Sequence, residues 1–158
     1  MEYAKSPAGL FNRLMKTPVL LAQTDTTVGF LSQDTLKLSR IKRRSSDKPF
    51  LKSYADLKTF KCFNRIPKHF KRQLRRSRTT TYVVKAEAFR IISDPIHQSI
   101  IAPYGWLYST SANLSGHGFS NDFAQEHADI IIEDKRGLHE TLPSNIIKLG
   151  FGRRKRLR

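Results

Sequence analysis

Trp106-Leu107-Tyr108-Ser109-Thr110-Ser111-Ala112-Asn113-Leu114-Ser115-Gly116 is the stretch on which the reading of this chain turns. It starts as a short apolar strand, Trp106 to Tyr108, and runs into a polar loop of hydroxyl, amide and glycine residues. A strand that ends this way sets short donors at a sheet edge, where ligands bind in many α/β folds. Small side chains also let the backbone approach a phosphate closely. The same residues suit an ordinary polar turn, and their chemistry alone does not choose between the two.

Working outward, strands and helices alternate. Residues Pro18 to Gln23 form an apolar run long enough for one buried strand, followed by the β-branched, hydroxyl-rich Thr24-Asp25-Thr26-Thr27-Val28-Gly29-Phe30. Asp34 is placed to N-cap a helix through Leu36, Leu38 and Ile41, with Lys42 and Arg44 at its C-terminal end. Lys48-Pro49 stops that helix and opens an extended piece, Phe50-Leu51. Ser53 is the expected cap of a short helix through Leu57 and Phe60. A further helix is expected from Pro67 to about Arg76. Ile66, Phe70 and Leu74 share one of its faces; Lys68, Lys71, Arg72, Arg75 and Arg76 share the other. Thr79–Val84 and Ala88–Ile92 read as strands joined through Lys85-Ala86-Glu87. Asp94-Pro95 opens a helix, Asn121 or Asp122 another, and Asp129–Ile132 and Asn145–Leu149 are strands. The end, Gly150 to Arg158, reads as a basic tail. The interleaving predicts an α/β fold, and the hairpins make its sheet mixed.

Composition narrows the partners. The chain has 158 residues, 39% of them hydrophobic, which suffices for one domain with its own core. No apolar run approaches the roughly 20 residues that span a bilayer. Lys5, Phe11-Asn12-Arg13 and Lys16 interrupt the N-terminal stretch, so no secretory signal is read there and a cytoplasmic, non-membrane protein is expected. The lone Cys62 permits no internal disulfide. His69, His97, His117, His127 and His139 lack metal-ligand spacing, so no metal site is expected. A net charge of +16 points to a polyanionic partner, with a merely basic surface as the plainer account. Lys42-Arg43-Arg44, with Lys48 nearby, either compensates a helix C-terminus or holds a triphosphate. Thr24-Asp25-Thr26 either binds a small polar substrate or caps a turn.

Together these segments resemble the YrdC/TsaC family. Thr24 to Phe30 is similar to its TDTVYGL segment, Lys42-Arg43-Arg44 to its K-x-R element, and Ser111-Ala112-Asn113 to its S-x-N element. Ala88-Phe89-Arg90-Ile91 resembles the strand that carries the family's arginine, and Pro143 to Ile147 its late P-S-T-I stretch. The elements are co-linear from about residue 18 to 149. The chain departs at Val28, where tyrosine is usual, at Ser77 to Thr81, which replaces a P-G-P-[VT]-T segment, at Asn145, and in a short, basic segment between Lys61 and Arg78.

The resemblance implies a single YrdC-like domain over residues 1–150 with a basic tail over 151–158. Its fold would be a twisted mixed sheet with flanking helices and an open concave basic groove. The implied activity is threonylcarbamoyl-AMP synthesis: L-threonine, bicarbonate or CO2, and ATP give threonylcarbamoyl-AMP and pyrophosphate. Other proteins then transfer the threonylcarbamoyl group to tRNA. Such chemistry needs positioning and electrostatics rather than a covalent nucleophile. On this reading Lys42, Arg44, Ser111 and Asn113 are the catalytic set. Lys48, Ser109 and Ser144 join them around ATP; Thr24, Thr26 and Arg90 hold threonine; Mg²⁺ accompanies ATP, with Asp25 either an outer ligand to it or a brace for the turn. Lys68, Lys71, Arg72, Arg75 and Arg76, with the tail, would bind tRNA or another structured RNA through phosphates. The alternative is a non-catalytic RNA-binding protein on the same fold. A carbamoyl-adenylate module of hydrogenase maturation is a further rival, without the acylphosphatase and zinc-finger parts of such chains.

Overall fold

The structure, a computed structural model, describes residues 17–45, 47–150 and 152–158. The interrupted apolar stretch at the N-terminus lies outside them.

Leu20–Gln23, every residue of it buried, is strand β1. It pairs antiparallel with β2 (Val28–Ser32) and parallel with β7 (Ile130–Ile132). Burial on both faces is what a continuous apolar run requires. Asp34 caps α1 (Thr35–Lys42) by accepting from the amides of Leu36 and Lys37. The remaining elements are β3 (Leu51–Tyr54), α2 (Leu57–Phe63), α3 (Lys68–Arg76), β4 (Thr80–Val84), β5 (Glu87–Ile91), α4 (Pro95–Ile101), β6 (Trp106–Ser111), α5 (Asn121–Glu126), β8 (Asn145–Leu149) and β9 (Arg154–Arg156). The nine strands among the described residues form one mixed sheet in the order β7-β1-β2-β6-β3-β5-β4-β8-β9.

Four local expectations change. Helix α1 ends at Lys42, where Arg43 turns left-handed, well before Lys48-Pro49. Ser53 lies inside β3, fully buried, and the cap of α2 is Asp56, whose carboxylate accepts from the Thr59 amide. Strand β6 runs to Ser111 rather than ending at Tyr108, because Ser109, Thr110 and Ser111 pair with Leu31, Phe30 and Gly29 of β2. Within the expected tail, Arg154–Arg156 form β9, antiparallel to β8 at the sheet edge. A basic edge strand resists pairing with other chains.

The sheet has two unlike faces. Side chains directly opposite on neighbouring strands share a face. On one face, α1 and α5 cover Leu21 and Phe30, while α2 and α3 cover Tyr54, Tyr82 and Phe89. Phe60 stacks on Phe89 at 4.6 Å there, and Phe70 and Leu74 are the buried residues of α3. On the other face α4 covers Leu20, Ala22, Leu31 and Leu107. The rest of that face, over the sheet's middle, presents Gly29, Ser109, Ser111, Ser53, Arg90 and Thr81.

Candidate functional site

The polar half of the second face is a cavity of about 350 Å³. Its wall includes Thr24, Thr26, Gly29, Arg44, Arg90, Ser109, Ser111, Ser144 and Arg158. The end of β1, the start of β2, the end of β6, the middle of β5 and the segment before β8 all deliver residues to it. Gly29 keeps its floor open: a Cβ there would meet the Thr110 carbonyl at 3.1 Å and the Thr24 methyl at 3.2 Å.

Arg44 reaches the cavity through the C-terminus of α1. Arg43 takes the left-handed conformation (φ 47°), the Arg44 amide donates back to the Ser39 carbonyl, and the chain reverses. The Arg44 guanidinium lies 3.9 Å over the Phe50 ring, and its buried Nε has no partner. Burial pushes its pKa down.

Lys42, the last residue of α1, is buried and stands one residue behind the wall. Its ammonium donates to the Ser111 carbonyl at 2.8 Å, to Asn113 Oδ1 at 2.9 Å and to the Asn113 carbonyl. Ser111 Oγ is 3.4 Å away. Asn113 in turn donates from Nδ2 to the carbonyls of Leu114 and His117. Lys42 and Asn113 therefore lock the loop after β6. Loss of water, with Arg44 beside it, lowers the Lys42 pKa to about 8.

Asp25 points away from the cavity. Its Oδ1 accepts from Arg90 Nη2 at 3.0 Å and lies 3.2 Å from His97 Nδ1. All three side chains are at most 5% exposed. Burial alone would raise the Asp25 carboxyl, but the His97 hydrogen bond and the Arg90 charge overrule it and hold it below the ordinary value. Burial pushes His97 down. Of the two roles open to Asp25 from sequence, the structure thus favours the brace. Arg90 Nη1 donates to Thr26 Oγ1 at 3.2 Å, so the cluster sets the rim of the cavity. The Thr24 hydroxyl is spent within its own turn, donating to the Thr27 carbonyl and accepting from the amides of Thr26 and Thr27. Ser144 bonds to Thr81 at 2.8 Å, hydroxyl to hydroxyl.

Thus Arg44, Ser109, Ser111, Ser144, Thr24, Thr26 and Arg90 converge on one cavity, and Lys42 and Asn113 support it. Lys48 does not join them: it lines a different cavity on the opposite face. Helix α3, with Lys68, Lys71, Arg72, Arg75 and Arg76, is also on that opposite face. The chain's pattern gave no sign of His97, which lies 72 residues from Asp25. Nor did it point to Arg158, which the β8–β9 hairpin returns to the cavity, where its Nε donates to the Ser144 carbonyl at 3.1 Å.

The cavity wall contains no carboxylate, and no cluster of three metal-ligating side chains occurs among the described residues. A magnesium ion bound by protein uses one or two carboxylates. The wall does not fit a resident Mg²⁺.

The family model described as Telomere recombination (Sua5/YciO/YrdC) matches residues 14–158. The chain belongs to the Sua5/YciO/YrdC family. Solved structures carry the same fold. E. coli YciO superposes with a TM-score of 0.73 at 19% identity, over 98% of this chain and 90% of YciO. P. abyssi Sua5 complexed with L-threonine superposes with a TM-score of 0.74 at 19% identity, over 96% of this chain and 52% of Sua5. A HypF structure in a phosphate- and nucleotide-bound form gives 0.71 at 17% identity, over 96% of this chain and 28% of HypF. The chain spans about half the length of the P. abyssi Sua5 chains it matches. Comparison with curated protein sequences gave no significant match. Among the described residues of this Sua5/YciO/YrdC domain, no helix is long and apolar enough to cross a membrane.

Proposed function

We propose that this domain makes threonylcarbamoyl-AMP and pyrophosphate from L-threonine, bicarbonate or CO2, and ATP. The observation that carries the reading is the cavity itself: three arginines, Arg44, Arg90 and Arg158, share its wall with a ring of hydroxyls and no Asp or Glu side chain. That is a wall for anions, on the fold that P. abyssi Sua5 uses with L-threonine.

In the proposed reaction the neutral threonine amine adds to CO2, forming the N–C bond, and gives up a proton to water to leave a carbamate. A carbamate oxygen forms a bond to the α-phosphorus, the bond from that phosphorus to the bridging oxygen breaks, and pyrophosphate leaves with the electron pair. Arg44 takes the departing charge, with the Lys42 ammonium behind it. Ser109, Ser111 and Ser144 donate to phosphate oxygens, and Asn113 holds Lys42 and the loop in register. Thr26 and Arg90 orient threonine, with Thr24 shaping the turn beneath them. Mg²⁺ enters on ATP. The product passes to proteins that modify tRNA.

The non-catalytic, RNA-binding reading keeps one observation in its favour, since Lys42 and Asn113 already satisfy each other. Calorimetric titration separates the two. ATP and L-threonine each saturate the wild-type protein, and Arg44→Ala weakens ATP on the order of tenfold or more, as loss of a charge-assisted contact does. A folded protein that takes up neither ligand sinks the synthase reading.

A further inference from the structure

The opposite face of the sheet carries a second cavity, about 250 Å³, in the gap between the helix pair α1/α5 and the helix pair α2/α3. Lys52 of β3 stands in it. Its ammonium lies 3.8 Å from the Trp106 ring centroid, 5.5 Å from Tyr54, 5.7 Å from Phe63 and 6.0 Å from Tyr108. These aromatics come from β3, α2 and β6, so no local run of sequence announces them. Phe63 is 59% exposed, an unusual cost for a large ring, and Trp106 and Tyr108 are half-buried. Among the described residues Lys52 has no ion-pair partner. Lys48 joins it in the wall, against one carboxylate, Glu87.

The surface beside this cavity is uniformly basic. Residues 57–78, which hold α2 and α3, contain nine Lys and Arg and no Asp or Glu. An exposed aromatic ring beside lysines without an ion-pair partner, continued by a basic track, is what single-stranded nucleic acid binds: bases stack while phosphates follow the charge.

We propose that this back face binds single-stranded RNA: an unstacked base lies on the exposed Phe63 ring, Lys52 swings from the Trp106 ring to a phosphate and frees that ring for a second base, and Lys48 and the basic face of α3 hold further phosphates. The site lies across the sheet from the Arg44 cavity and does not rest on the chemistry proposed there.

Trp106 is the chain's single tryptophan and reports directly. The probe is an oligouridine RNA of about twelve nucleotides, within the size range of single-strand grooves. Its addition quenches Trp106 fluorescence, saturating ATP leaves the affinity unchanged, and raised salt weakens binding steeply. Phe63→Ala, at an exposed ring, and Lys52→Gln each weaken binding on the order of tenfold, while thermal melts confirm that both variants fold. Binding that leaves Trp106 fluorescence unchanged overturns the proposal. So does displacement by ATP, equal affinity for a blunt RNA duplex, equal quenching by an acidic peptide, or full affinity in Phe63→Ala.

Discussion

Lys42 is the residue on which the site is hung. Its ammonium is taken out of water and repaid by carbonyl and amide oxygens of Ser111 and Asn113 rather than by a carboxylate. With a folded pKa of about 8 against an ordinary 10.5, the unfolded chain holds more protons between those values. Stability therefore rises with pH across that window, relative to Lys42→Met, and denaturant midpoints measured from pH 7 to 10.5 check it. The Asp25 carboxylate plays the complementary part among buried groups. Asp25→Asn leaves the Arg90 guanidinium buried and uncompensated, and is expected to cost roughly 3–5 kcal/mol in urea unfolding. A loss below about 1 kcal/mol, the range of exposed pairs, would show that the pair is solvated. Neither role could be read from sequence. Asp25, Arg90 and His97 are brought together across more than 60 residues by the β2–β6–β3–β5 order.

At the scale of elements, what repeats locally was legible and what alternates by face was not. β1, α1 with its Asp34 cap, α3 with Phe70 and Leu74 inward, and α4 with Asp94 and Pro95 at its start all follow from periodicity and capping. Ser53, Ser109 and Ser111 misled because hydroxyl residues read as caps or loops. Here they are strand positions turned to the uncovered part of a face, which is where the cavity lies. β9 read as tail for a similar reason, since three basic residues carry no apolar alternation. The C-terminus of α1 stores a measurable strain. Arg43 holds a left-handed conformation usually given to glycine. Arg43→Gly should raise stability by about 1 kcal/mol, the left-handed penalty less the entropy glycine loses, while keeping Arg44 in place. Thermal melts and ATP affinity measured together test this; a destabilised Arg43→Gly would mean that the Arg43 side chain holds the turn.

At the scale of the molecule, the sheet divides the work. One face covers part of its strands with α4 and leaves the rest as a cavity lined by arginines and hydroxyls; the other buries the larger aromatic core and exposes most of the basic residues of α2 and α3. With both proposals, the net charge of +16 serves two polyanion sites on opposite sides of the sheet. Family and fold could be recognised in the sequence through Ser109 to Gly116 and the co-linear elements around it. The separation of Lys48 and α3 from the cavity could not, because it depends on which way each strand faces. The central claim is that the Arg44 cavity is a threonine-dependent adenylating site, and pyrophosphate release tests it most directly. With ATP, Mg²⁺ and bicarbonate present, release should require L-threonine and be lost in Arg44→Ala and Asn113→Ala; well-folded protein that releases none, or releases it equally without threonine, would contradict the account.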